Sequence, residues 1–250
     1  MQDTYIGDEG KGFPLVLVHG FLGSSKMWKP QIDFFKDHFR IITPDLPGFG
    51  KSKKAKSHNS IQSIAHLLIN YLEEKKINKF HLLGHSMGGM IVQEMAKKVG
   101  DKISKLVCYS TGPRGEMPGR FETVDESREN LQKNGLETMA RNIAKTWFIK
   151  GENAKYFDIC IDAGKQTSIE VAENSLVAIK NWNGVDTLKN IKNETLIVWG
   201  DQDKSYNLEQ IQTLENNIEN SKLIIFKNCA HNVHLEQPDQ FNKTIKDFLL

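Results

Sequence analysis

The chain has 250 residues, 39% hydrophobic and 26% charged, enough for one large domain with a substantial core and too apolar for a disordered chain. Its 33 basic and 31 acidic side chains leave a formal net charge of +2, too little for the electrostatic footprint of a nucleic-acid-binding protein. The start, Met1-Gln2-Asp3-Thr4-Tyr5, has no basic stretch followed by an apolar run, and no segment approaches the roughly 20 apolar residues of a membrane span, so a cytoplasmic protein is expected. Cys108, Cys160 and Cys229 are odd in number and show no CxxC spacing, which argues against a disulfide framework or a zinc site and for buried, reduced thiols.

In chain order, Gln2–Ile6 has room for one antiparallel edge strand. Short apolar runs follow at Phe13–Val18, Phe39–Thr43, Phe80–Leu83, Lys105–Tyr109, Thr195–Trp199 and Leu223–Phe226, each of the length of a strand buried on both faces. Between them lie helical spacings such as Ile61, Ile64, Ala65, Leu68 and Leu72, and Met90, Ile91, Met95 and Val99. Alternating strand and helix predicts an α/β fold, a mostly parallel sheet flanked by helices, with the active site at the carboxyl ends of the strands. The basic run Lys51, Lys53, Lys54 and Lys56 reads as a solvated loop. Gly50-Lys51-Ser52 is not the end of a phosphate-binding loop, because Asp45 stands where that motif needs glycine.

The alternation breaks between Gly112 and Ile191, where only helix-like pieces occur, around Ser127–Leu131, Leu136–Phe148 and Ile169–Asn181. The expectation is a single domain, residues 1–250, with a core of 1–111 and 192–250 and a helical lid inserted at 112–191 over the active site.

The strongest chemical signal is Gly84-His85-Ser86-Met87-Gly88, directly after a strand and before a helix. A serine at such a sharp turn needs small residues two places before and after it, and its hydroxyl stands at the amino end of a helix, where developing negative charge is favoured. A serine hydroxyl also needs a base and a group to hold that base. The strand Thr195–Trp199 runs into Gly200-Asp201-Gln202-Asp203, and Leu223–Phe226 runs into Asn228-Cys229-Ala230-His231, with His234 close behind. Serine, acid and histidine thus follow one another, each just past a strand. His231 and His234 lack a third partner at metal-ligand spacing.

These motifs, together with His19-Gly20-Phe21, Asp45-Leu46-Pro47-Gly48-Phe49-Gly50-Lys51-Ser52 and His234-Leu235-Glu236-Gln237-Pro238, resemble the α/β-hydrolase superfamily. The resemblance is nearest to small bacterial carboxylesterases, 3-oxoadipate enol-lactonase-like enzymes and cofactor-free haloperoxidase-like hydrolases, and it spans nearly the whole chain. It implies Ser86 as nucleophile, His231 as base and Asp203 as the orienting acid, in preference to His234 and Asp201. It also implies an oxyanion hole from the backbone N–H groups of Phe21 and Met87, with His19, Gly20, Gly84, His85 and Gly88 shaping the elbow and its neighbouring loop. No cofactor is required.

The expected activity is cleavage of a carboxylic ester through an acyl-enzyme, by a monomer or homodimer acting on a small-molecule ester or lactone. An enol-lactone or C–C bond hydrolase is the alternative, and its acidic substrates would need lid arginines, for which Arg114, Arg120, Arg128 and Arg141 are available. A non-catalytic small-molecule binder on the same scaffold is the third reading.

Overall fold

The computed structural model describes residues 3–250, so Gln2, where the edge strand was expected to begin, lies outside the described residues. Among the described residues seven strands form one sheet: β1 (Ile6–Glu9), β2 (Pro14–Val18), β3 (Arg40–Pro44), β4 (Phe80–His85), β5 (Ile103–Tyr109), β6 (Glu194–Gly200) and β7 (Ser221–Phe226). Their order is β1-β3-β2-β4-β5-β6-β7, with β1 antiparallel to β3 and every other pair parallel. The edge strand thus exists but starts only at Ile6. β7 departs from the expectation of a strand buried on both faces: it closes the sheet's other edge and is half-buried.

The helices are α1 (Lys29–Phe35), α2 (Ile61–Glu74), α3 (Met87–Val99), α4 (Val124–Thr146), α5 (Phe157–Lys165), α6 (Ile169–Asn181), α7 (Leu208–Asn217), α8 (Val233–Glu236) and α9 (Pro238–Leu249). In α2 the periodic residues Ile61, Ile64, Ala65, Leu68 and Leu72 are the buried ones, and Ser60 caps the helix by accepting from the Ser63 N–H. One face of the sheet carries a core with α2 and α3, and the other a core in which Phe35 of α1 and Phe241 of α9 meet Leu17, Leu83 and Tyr109. No described helix is long and apolar enough to cross a membrane. All three cysteines are free and buried.

Helices α4 to α6 fill the interval between β5 and β6. The two expected pieces at Ser127–Leu131 and Leu136–Phe148 form one assigned element, α4, broken at Gly135, whose φ of 77° and ψ of 169° lie outside helical values. Its start is fixed by a capping box between Thr123 and Glu126. Helix α6 has the boundaries expected for it. Helix α5 is an addition, nine residues long and burying Phe157, Cys160 and Ile161. These helices pack on the loops at the carboxyl ends of the strands: Thr167 Oγ1 donates to Gly48 O at 2.9 Å, and the Asn232 N–H donates to Trp147 O at 3.0 Å.

Phe241 tests the second core, being fully buried with its ring 4.9 Å from that of Tyr109 and 6.3 Å from that of Phe226. Phe241→Ala should lower unfolding free energy by about 3–5 kcal/mol, the range for truncating a buried aromatic. Urea denaturation checks this, and an unchanged midpoint would contradict the packing.

Candidate active site

Ser86 sits between β4 and α3 with φ 56° and ψ −119°, a conformation that costs an L-residue energy and must be held by its surroundings. Its N–H donates to Tyr109 O at 2.9 Å, and its carbonyl accepts from Thr111 Oγ1 at 2.8 Å. The turn is so tight that a Cβ on Gly84 would lie 2.2 Å from Gly88 O, and one on Gly88 would lie 2.3 Å from Val18 O. These contacts are the physical reason for the two small residues flanking the serine. Gly20 completes the approach from the neighbouring loop, where a Cβ would stand 2.9 Å from Ser86 Cβ. The Ser86 side is partly exposed, whereas His85 and Met87 on either side are buried.

Of the two acids and two histidines near the carboxyl ends of β6 and β7, the structure joins Asp203 and His231. His231 Nδ1 lies 2.9 Å from Asp203 Oδ2, with both side chains almost wholly buried. Asp203 Oδ1 meanwhile accepts from the N–H groups of Ser205 at 2.7 Å and Tyr206 at 3.4 Å, which fixes the carboxylate's orientation. This contact places the proton on Nδ1 of a neutral imidazole and leaves Nε2 as the basic nitrogen. Asp201 instead lies near Lys227 at 3.7 Å. His234 is buried against Trp28, with Nδ1 2.9 Å from the Tyr109 hydroxyl, and burial lowers it to about 3. It stays an uncharged packing residue.

The loop after β2 carries His19, Gly20 and Phe21. His19 Nδ1 donates to Gly20 O at 2.8 Å and Nε2 accepts from the Leu46 N–H at 2.9 Å, so the ring pins this loop to the one after β3. Among the described residues, the Phe21 N–H has no acceptor in the chain. The Met87 N–H opens α3 and has no intrahelical partner either. His85 Nε2 lies 3.2 Å from His231 O, so the residue just before the serine supports the histidine loop.

Several residues of the site escaped sequence reasoning. Asp45 anchors two loops: Oδ1 accepts from the Ser25 N–H at 2.5 Å and Oδ2 from the Lys51 N–H at 2.8 Å. Its place at the head of the Asp45–Ser52 motif was the available signal. Trp147 and Tyr206 flank the His231 ring, with centroids 6.1 and 5.9 Å away and Tyr206 nearly parallel at 17°. Tyr109 donates its hydroxyl to His231 O at 3.1 Å. These aromatics carried no motif. Of the candidate arginines, Arg128 pairs with Glu173 and Asp125, and Arg141 with Glu152, at the surface. Arg114 forms a single β-bridge with Asn183. Arg120 is partly buried, donating to Glu122 O at 2.5 Å and Ser127 Oγ at 2.9 Å, with no carboxylate among these acceptors.

The elbow thus presents a strained serine after β4, and an Asp-His pair closes the loops after β6 and β7 of the same parallel sheet. The alpha/beta hydrolase fold family matches residues 14–238, and the chain belongs to that family. It is 29% identical to a pimeloyl-[acyl-carrier protein] methyl ester esterase of Legionella pneumophila, over 99% of this chain and 100% of that one. It is 27% identical to a 2-hydroxy-6-oxo-2,4-heptadienoate hydrolase of Pseudomonas putida, over 99% of this chain and 92% of that one. The enol-lactonase from Burkholderia xenovorans LB400 superposes with a TM-score of 0.90 and 22% identity, covering 98% of this chain and 96% of that one, a likeness of fold.

Four buried imidazoles, three near the site and His81 at the amino end of β4, give the fold a pH signature. Burial holds His234 at about 3 and His81 at about 4, and depresses His19 and His85 below the ordinary range. The unfolded chain takes up these protons near pH 6.5 while the folded chain does not, so their full contribution to stability is present above about pH 6.5 and is lost on acidification. Each group removes about 1.4 kcal/mol per pH unit until its own folded value is reached. Calorimetry should therefore find Tm falling steeply from about pH 6.5 to 5, and a Tm that rose over that interval would contradict neutral buried imidazoles.

Proposed function

We propose that the protein is a serine hydrolase cleaving carboxylic esters through an acyl-enzyme. The observation that carries this reading is the buried 2.9 Å contact between His231 Nδ1 and Asp203 Oδ2, on a sheet that also presents the strained Ser86 at its elbow. Ser86 Oγ attacks the ester carbon while its proton passes to His231 Nε2, which then protonates the departing alcohol. The N–H groups of Phe21 and Met87 stabilise the tetrahedral oxyanion. Water, deprotonated by His231, releases the acid and restores Ser86. Asp203 keeps the imidazole in one tautomer throughout. Residues 112–191 act as a lid that shapes the substrate pocket, and the protein works in the cytoplasm, a reading its three buried free thiols support.

One observation favours a lactone or C–C bond substrate carrying a carboxylate. Arg120 is a partly buried guanidinium whose Nη1 donors go to neutral oxygens, a setting suited to an anionic group.

Hydrolysis of p-nitrophenyl esters from acetate to decanoate tests the first reading. Wild type should cleave the short esters, and Ser86→Ala should lose up to about a million-fold in turnover. Asp203→Asn should retain the fold and lose about 10⁴-fold, because the amide permits the wrong tautomer. If wild type is inert towards every ester but cleaves an acidic lactone, and Arg120→Ala raises KM for it, the second reading takes its place.

A further inference from the structure

The two residues that flank His231 in the chain are both tied, through their backbone N–H groups, to one short segment of the inserted interval, residues 147–149. The Asn232 N–H donates to Trp147 O directly. The tie from Ala230 runs through a side chain: its N–H donates to Glu236 Oε2 at 2.6 Å, and Glu236 Oε1 accepts from the Ile149 N–H at 2.8 Å. Glu236 ends α8, which folds back on the histidine, the Glu236 N–H donating to Asn232 O at 3.0 Å. Among the described residues the Ala230 N–H has no other acceptor, and Ala230 is 2% exposed, so loss of the carboxylate would leave a buried donor unpaired. Ile149 is 51% exposed, so its side chain adds little anchorage and its N–H carries the connection. Two donors converging on one side chain suit a carboxylate, which offers an oxygen to each. Glutamine has the same shape but a single oxygen, and its NH2 would face an N–H. Burial pushes the Glu236 carboxyl above its ordinary value, while the Ile149 and Ala230 N–H groups pull it back.

Resting on the reading of His231 as base, we propose that Glu236 is a positioning residue, whose carboxylate ties the backbone just before His231 to residues 147–149 and so fixes where the imidazole stands. It acts through Ala230 and takes no proton in the reaction. The other ties on the histidine leave this one to Glu236: Asp203 holds the ring, the Tyr109 hydroxyl donates to His231 O, and Trp147 O holds Asn232. A base must keep its nitrogen within hydrogen-bond reach of the proton it takes, and a loop freed at Ala230 would let Nε2 drift from that position. The same imidazole serves acylation and deacylation, so its displacement slows both steps and leaves KM near its wild-type value. A purely structural role would lower unfolding free energy without changing turnover per folded site.

The experiment is steady-state hydrolysis of p-nitrophenyl butyrate by wild type and Glu236→Gln, with active sites counted by fluorophosphonate labelling carried to its end point and Ser86→Ala as the unlabelled control. The proton NMR resonance of His231 Nδ1–H and urea denaturation are recorded on the same samples. The expected result is a kcat per labelled site about 10- to 100-fold lower in Glu236→Gln, the span for a small misplacement of a catalytic group. KM should stay within about twofold, and the Nδ1 proton resonance should move or broaden. Turnover per site within about twofold of wild type, an unmoved resonance, or a KM that rises while kcat holds would each overturn the proposal, whatever the urea midpoint does. Should Glu236→Gln not fold, Glu236→Ala takes its place under the same criteria. Glu236 borders a cavity of about 410 Å³, from which water reaches the two N–H groups with no NH2 opposed to them. If wild type neither takes the label nor cleaves any ester, the hydrolase reading fails and Glu236 with it. If wild type is labelled and active while Glu236→Gln matches it, the Glu236 proposal fails alone.

Discussion

The turn at Ser86 is the constraint around which the rest of the site is arranged. A non-glycine residue at φ 56° and ψ −119° persists only if its neighbours hold it, and here they do so from three directions. The adjacent strand β5 receives its N–H, Thr111 donates to its carbonyl, and the first turn of α3 also donates to that carbonyl through Gly89 and Met90. Gly84 lets α3 approach β4, and Gly88 lets α3 approach the end of β2, so closely that a Cβ would fit at neither position. Because β4 lies between β2 and β5, hydrogen-bonded on both sides, the strain is borne by the most buried part of the sheet. The serine is thereby presented at the strand end with little freedom to relax.

A second economy concerns charge. The histidine loop is surrounded by other imidazoles, His85 with ring centroids 4.6 Å from His231 and His234 5.3 Å from His85. If these were protonated they would oppose a positive His231. Burial keeps them neutral, and in that form they serve as aromatic packing and as hydrogen-bonding groups: His85 towards His231 O, His234 towards the Tyr109 hydroxyl. Asp203 is the acid that contacts the His231 ring, and its second oxygen is already held by backbone donors.

The sheet was legible in the sequence because its buried strands are short apolar runs cut off by glycine, proline or aspartate. Phe80–Leu83 ends in Gly84, and Thr195–Trp199 ends in Gly200-Asp201, and the observed strands exceed these runs by at most two residues at either end. The edges were less legible: β1 has one buried residue in four and β7 one in six, since neither is covered on both faces. Helix α5 was missed because Phe157–Lys165 is too short for periodicity to stand out, its cover being supplied by segments distant in the chain. At the site, the elbow announced itself through its glycines. The choice of Asp203 over Asp201 and of His231 over His234 did not follow from residue type, because both members of each pair offer the same atoms. Resemblance made that choice, and the 2.9 Å contact is its geometric counterpart. Trp147, Tyr206 and Tyr109 were illegible because an aromatic contact between distant positions leaves no mark on local spacing.

Helices α4 to α6 are tied to the catalytic loops in a way that bears on how substrate enters. The carboxyl end of α4 supplies both the Trp147 ring beside His231 and the carbonyl that accepts the Asn232 N–H, and Asn232 Nδ2 lies 3.5 Å from Cys160 Sγ in α5. Thr167 and Val171 clamp the loop at Gly48 on the opposite side. Swinging these helices away as a body would break hydrogen bonds to the very loop that carries His231. The connection before α4 is held differently: Met117, Arg120 and Phe121 are only partly buried, the Phe121 N–H donates to Lys204 O at 3.0 Å, Asn207 Nδ2 donates to Pro118 O at 2.9 Å and Gln210 Nε2 to Glu116 O at 3.5 Å, and a cavity of about 460 Å³ lies beside Met117 and Arg120. These bonds run to the loop after β6 and to α7 rather than to the loop that carries His231. The inserted interval is thus tied to both loops of the Asp-His pair, through α4 and α5 to the His231 loop and through the connection before α4 to the Asp203 loop.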